Sequence, residues 1–352
     1  MCKALYGAET KHTSIATSYN NIGSVYKSLG DYGQALEYHT KSLDMHKAIY
    51  GAEANHTDIA TSYSNIGSVY KSLGDYGQAL EYHTKSLDMC KALYGAETNH
   101  TSIATSYSNI GSVYKSLGDY GQALEYHTES LDMHKAVYGA EANHTDIATS
   151  YSNIGLVYNS LGDYGQALEY YTKSLDMHKA VYGAEANHTG IATSYSAIGS
   201  VYNSLGDYEQ ALEYHTKSLD MHKAVYGAET NHTSIATSYS NISSVYDSLG
   251  DYGQALEYHT KSLEMLKAIY GAEANHISIA TSYGNIGSIY YSLGDYGQAL
   301  EYYTKSLDMD KAIYGAEANH TDIATSYNNI GLVYYSLGDY GQALEYYTKS
   351  LD

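Results

Sequence analysis

The residues able to do chemistry in this chain recur at a fixed spacing. Its 17 histidines fall into three series. Eight lie in polar segments (His12, His56, His100, His144, His188, His232, His276, His320), five further along (His39, His83, His127, His215, His259), and four beyond those (His46, His134, His178, His222). Imidazole can ligate zinc or relay protons. Yet there is no His-Glu-x-x-His or Cys-x-x-Cys pattern, and the second series interchanges with Tyr171, Tyr303 and Tyr347. The third interchanges with Cys2, Cys90, Leu266 and Asp310. Positions that accept Tyr or Leu read as packing positions, so neither a metal nor a cofactor is expected. Buried imidazoles would still tie stability to pH. Cys2 and Cys90 hold the same place two copies apart, across helix layers ~8–10 Å thick. A disulfide needs Cα atoms within about 7 Å, so the two cannot bridge within one chain.

The spacing belongs to the whole chain. Tyr-Gly-Ala-Glu recurs at Tyr6, Tyr50, Tyr94, Tyr138, Tyr182, Tyr226, Tyr270 and Tyr314, and eight units of 44 residues account for all 352. The units read as 1–49, 50–93, 94–137, 138–181, 182–225, 226–269, 270–313 and 314–352, one array whose two ends look cut. Within one unit, Ile59, Tyr63, Ile66, Tyr70 and Leu73 step by four and three residues, which predicts a helix over 58–73. Thr57 is placed to cap it, and Gly74 to end it. Asp75 caps a second helix, with Gln78 as capping-box partner. The inward stripe of that helix reads Tyr76, Ala79/Leu80, His83, Leu87, Cys90 and Tyr94, and Glu81 and Lys85 pair on its wet side. One helix hairpin cannot bury both its faces, but stacked copies can. The expected fold is all-α, a right-handed α-solenoid of stacked antiparallel hairpins with a 44-residue period. Gly67 and Ala79 are expected to let the paired backbones approach closely. Tyr70 and Tyr76 should fill the gaps between helices, and Ser243, in the Gly67 place, should loosen its hairpin slightly.

Tyr63-Ser64-Asn65-Ile66-Gly67-Ser68-Val69-Tyr70, followed by Leu73-Gly74-Asp75-Tyr76-Gly77-Gln78-Ala79-Leu80-Glu81-Tyr82, resembles the tetratricopeptide repeat in every unit. The longer unit is similar to kinesin light chain arrays. Tyr stands where that family often opens with Trp, and its closing Pro is absent. The resemblance implies a concave groove lined by first helices that takes peptides. Carried over, it yields an asparagine ladder, Asn21, Asn65, Asn109, Asn153, Asn241, Asn285 and Asn329, broken by Ala197. An amide offers both donor and acceptor to a peptide backbone. One groove position changes character along the array: Lys27, Lys71, Lys115, Asn159, Asn203, Asp247, Tyr291, Tyr335. It predicts acidic peptide residues toward the N-terminal half and apolar ones toward the C-terminal half. The basic clamp used for chaperone tails is not expected, because Thr61, Ser64, Asn65 and Ser68 hold those places.

Bulk properties narrow the function. The chain has no Pro, Trp, Phe or Arg but 45 Tyr, and 43% hydrophobic residues, too many for a disordered tract. A net charge of −20 repels phosphate, so nucleic acid is not an expected partner. No apolar run approaches the ~18 residues of a membrane span, and Met1 to Gly7 holds no signal core, which leaves the cytoplasm as the default. Asn55-His56-Thr57 and its copies match the glycosylation pattern, read as coincidental loop composition. Gly74-Asp75-Tyr76-Gly77 is a hairpin turn and no phosphate cradle, and a nucleophile copied along a solenoid has no single pocket. The expected function is therefore non-enzymatic, a scaffold for a protein or peptide ligand. A sensor array of a larger effector or enzyme, and a structural spacer, are the alternatives. Uncapped ends would also admit end-to-end self-association.

Overall fold

Glycine and aspartate set the rhythm of the chain. After each first helix a glycine takes a left-handed conformation (Gly74, φ 80°), which closes the helix and turns the chain. The next residue, Asp75, accepts from the Gln78 backbone N–H at 3.0 Å and starts the second helix. A second glycine (Gly95, φ 95°) ends that helix. The computed structural model describes residues 12–316 and 318–351. Among these are sixteen helices. Four hairpins occupy the unit that ends at Ala184: α1 (Thr13–Ser28) with α2 (Tyr32–Tyr50), α3 (Thr57–Ser72) with α4 (Tyr76–Tyr94), α5 (Thr101–Leu117) with α6 (Tyr120–Tyr138), and α7 (Thr145–Leu161) with α8 (Tyr164–Tyr182). Four more occupy the unit from Glu185: α9 (Thr189–Leu205) with α10 (Tyr208–Tyr226), α11 (Thr233–Leu249) with α12 (Tyr252–Tyr270), α13 (Ile277–Ser292) with α14 (Tyr296–Tyr314), and α15 (Thr321–Ser336) with α16 (Tyr340–Lys349). Cys2 and the first Tyr-Gly-Ala-Glu lie outside the described residues.

Stacking is what buries the core. Ile103 and Ile110 of α5 pack on Leu87 and Cys90 of α4, the second helix of the preceding copy. The same junction joins α6 to α7 through Leu131, Ile147 and Ile154. Ile103 is fully buried, and such burial is worth roughly 2–3 kcal/mol per side chain. Within a hairpin the helices are pinned by a hydroxyl that the apolar stripe does not reveal. Buried Ser86 donates to the Ala60 carbonyl at 2.8 Å, as Ser262 does to Ala236. Tyr82 stacks on Tyr70 at 5.5 Å between centroids, while the Lys85 ammonium sits over the Tyr82 ring at 4.9 Å and pairs with Glu81 at 2.6 Å. That exposed ion pair contributes little.

Three sequence-based details are corrected. The first helix is capped by histidine, not by Thr57. His56 Nδ1 accepts from the Asp58 N–H at 3.2 Å, and in the next copy His100 Nδ1 accepts from Ser102 at 3.1 Å. The Gln78 amide donates forward to Glu81 at 3.2 Å, so no reciprocal capping box forms. Finally, a Cβ on Gly67 would meet the His83 ring at 3.0 Å. Gly67 therefore makes room for a side chain and not for the partner backbone. Ser243 fits as expected: its hydroxyl reaches the Ala255 carbonyl at 2.5 Å, and the adjacent Tyr246–Tyr258 pair opens to 5.7 Å.

The histidine cap also carries a ring stack, with Tyr94 and His100 centroids 3.5 Å apart and planes 10° from parallel. His100→Ala removes cap and stack together. We expect a loss of roughly 2 kcal/mol, seen as faster amide exchange in the first turn of α5. His100→Asn restores a capping acceptor without the ring and should recover about half.

Candidate functional site

The asparagine ladder lies on the first helices, half-buried from Asn65 onward. Four of its seven amides donate to the preceding copy. Asn65 Nδ2 donates to Asn20 Oδ1 at 2.6 Å, Asn109 to Ser64 Oγ at 3.1 Å, Asn153 to Ser108 Oγ at 3.0 Å, and Asn241 to Ser196 Oγ at 2.9 Å. Each amide thus stitches its helix to the first helix of the preceding copy. Asn21, at the start of the first unit, is exposed. Asn329 stands in the same register opposite Gly284, which has no hydroxyl to receive it.

The variable position sits near the end of each first helix. Lys27, Lys71 and Lys115 are half-buried, and among the described residues no carboxylate lies within ion-pairing distance of them. Burial pushes the Lys27 ammonium down. Burial also lowers Lys71, and the charges of Lys115 and Lys27 lower it further, which places the three side chains in one electrostatic neighbourhood. Around Lys27 lies an open cleft of ≈ 350 Å³ lined by Ser24, Ser28, His39, Asn65 and Ser68. Behind the lysines, His83 and His127 are buried with Nδ1 unpartnered. Desolvation first, and the lysine charges second, push both down to about 4. These imidazoles are neutral packing groups at neutral pH.

Further along the position changes chemistry. The side-chain oxygens of Asn159, in the first unit, and Asn203, in the second, are buried without a partner. Burial raises the Asp247 carboxyl above its ordinary value. Tyr291 shares a hydrogen bond with Ser336 at 2.8 Å and packs on Tyr296 at 5.6 Å. Tyr335 is 57% exposed and meets Tyr340 edge-on at 5.4 Å.

A third series, read from sequence as packing only, lies beneath the first-helix face. His46 Nδ1 pairs with Ser62 Oγ at 3.0 Å, and His134 with Ser150 and His222 with Ser238 at the same distance. Cys90 receives Ser106 at 4.0 Å, and Asp310 receives Ser326 at 3.1 Å. These side chains floor the junction between one first helix and the next. Their heterogeneity, His to Cys to Leu to Asp, was the available signal. Among the described residues no group of His, Cys, Asp or Glu is arranged to hold a metal, and no helix is long and apolar enough to cross a membrane.

Sequence profiles of one family, described as Tetratricopeptide repeat, match residues 14–92, 58–136, 102–180, 146–224, 190–268, 269–312 and 278–352. No curated protein matches the chain significantly. Among solved structures, a Rap protein complexed with competence and sporulation factor is similar at 14% identity and a TM-score of 0.57, over 96% of each chain. A signal transduction ATPase with numerous domains from Pyrococcus horikoshii, with a tetratricopeptide repeat sensor, has 14% identity and a TM-score of 0.54. That match covers 95% of this chain but 46% of the ATPase. BtubC from P. vanneervenii has 19% identity and a TM-score of 0.53, over 66% of this chain and 89% of its own. At these identities the likeness is one of fold.

Proposed function

We infer from the chain's place in the tetratricopeptide repeat family, to which it belongs, that it is a non-enzymatic scaffold holding an acidic peptide segment of a partner protein on its first-helix face. The observation that carries this reading is the lysine column. Lys27, Lys71 and Lys115 are half-buried and unpaired in a chain of net charge −20. Bringing three like charges together at partial burial costs free energy that an incoming carboxylate would offset. Hydroxyls and the Asn65 amide line the adjoining cleft and supply neutral polar partners for a backbone. The ladder's role in this reading is narrower than free recognition. The N–H groups of Asn65, Asn109, Asn153 and Asn241 fix the spacing of successive helices, and the Oδ1 atoms remain to accept from a peptide N–H.

Fluorescence anisotropy with short fluorescein-labelled peptides, Glu-rich, neutral or Lys-rich, tests this. The Glu-rich peptide should bind best, with affinity falling steeply as salt rises. Lys71→Glu with Lys115→Glu should weaken it at least about tenfold. Asn65→Ala with Asn109→Ala should weaken it less while leaving the helical circular dichroism intact. Equal affinity for the three peptides would end the reading.

A further inference from the structure

The copies of this array are nearly identical, so a place where several unique residues meet stands out. At the junction of α13 and α15 three residues occur that no other copy holds at the same position. Ile277 stands where every other copy has Thr, Gly284 where the others have Ser or Asn, and Asp310 where the others have His, Cys or Leu. All three line one cleft of ≈ 290 Å³. The corresponding cleft five copies earlier is lined by Thr57, Ser64 and Cys90 at these positions and carries no charge.

We propose that this cleft binds a primary ammonium group, with Asp310 as its counter-ion. Asp310 is 3% exposed, and Ser326 is the one described side chain that donates to it, at 3.1 Å. No described lysine lies within ion-pairing distance. A buried carboxylate with a single hydroxyl donor is under-satisfied, because an ionised carboxylate can accept several hydrogen bonds. Burial, with the nearby Asp322 charge adding to it, pushes the Asp310 carboxyl up to about 6, so it is largely ionised at neutral pH and awaits a cation. Gly284 lacks the hydroxyl that receives a ladder amide at Ser64, Ser108 and Ser196, and Asn329 lines the cleft as a further polar partner. Asp322 also faces the cleft, and Tyr314 donates to it at 3.1 Å. The lining thus offers two carboxylates and no cation. An ammonium with three N–H donors matches it, whether carried by a peptide lysine or by a free amine. The site is independent of the lysine column, which lies in the other unit and attracts the opposite charge.

The test is calorimetric titration of the full chain at pH 7.5 with two probes, Nα-acetyl-lysine amide and n-butylamine, with Nα-acetyl-norleucine amide as the uncharged control. Asp310→Leu installs the residue that the preceding copy holds at Leu266, so folding is retained, and circular dichroism verifies it. The ammonium probes should saturate and the control should not. Asp310→Leu should reduce their affinity at least tenfold, and Gly284→Ser, which refills the cleft, should reduce it several-fold. Tighter binding of the lysine amide would identify a peptide side chain as the source, and equal binding a free amine. No saturation by either probe, or unchanged affinity in Asp310→Leu, would overturn the proposal.

Discussion

Lowering the pH from 8 to 5.5 should destabilise the protein markedly, through His83 and His127 in the first unit and His215 and His259 in the second. Each is buried with Nδ1 unpartnered and held down to about 4 by desolvation. An unfolded histidine titrates near 6.5. The unfolded chain therefore takes up protons first as the pH falls. The contribution is complete above about 6.5 and is lost progressively down to about 4. At pH 5.5 the loss is on the order of 1 kcal/mol per histidine, and below pH 4 it is roughly 3. In the second unit Asp310 works the other way. Its carboxyl is raised by burial, so the folded form gains a proton first as pH drops and is relatively stabilised. The first unit should show the cleaner acid dependence. The chain supplies its own control, because Tyr171, Tyr303 and Tyr347 occupy the same position elsewhere. His83→Tyr with His127→Tyr should remove roughly 5 °C of the fall in melting temperature between pH 8 and 5.5. An identical pH slope in parent and double variant would show that these imidazoles do not carry the effect.

The repeat, the helix pairs and the turn within each pair are legible because each rests on a local signal. Gly74 and Asp75 mark a turn whatever surrounds them, and the four-three spacing from Ile59 to Leu73 needs no neighbour to be read. What was illegible depends on residues far apart in sequence. Asn109 meets Ser64 only once two copies are stacked, so the ladder reads from sequence as free amides although four of its members bind copy to copy. His100 is not legible as a cap because imidazole is an unusual capping acceptor. Its selection follows from the Tyr94 ring beneath it, a contact that exists only when the loop closes. The floor of each junction was visible as a variable column but read as packing. Nothing in Asp310 alone says that Ile277 and Gly284 border the same space.

Replacing Gly111 by Val should cost roughly 3 kcal/mol, at the upper end of overpacking penalties, and the second-site response should identify what the glycine accommodates. A Cβ at Gly111 would lie 3.1 Å from three atoms of the His127 ring, tighter than ordinary contact. In an exposed helix, Gly→Ala gains about 1 kcal/mol. Here the ring must shift to admit even that methyl, so the gain and the strain roughly cancel for Ala. Valine adds two methyls that have nowhere to go. Serine is the tolerated case, because the sixth copy already holds it. Ser243 is fully buried, finds an acceptor in the Ala255 carbonyl, and widens its tyrosine pair to 5.7 Å against 5.5 Å for Tyr114–Tyr126. If the imidazole is the obstacle, His127→Ala in the Gly111→Val background should restore much of the lost stability, since valine then fills the space the ring vacates. If the glycine were needed for close approach of the two helix backbones, removing the ring would only add a cavity, and the double variant would be less stable than either single one. Urea unfolding of the four proteins separates these outcomes by sign. The prediction is rescue, because the atoms nearest to the missing Cβ all belong to the ring.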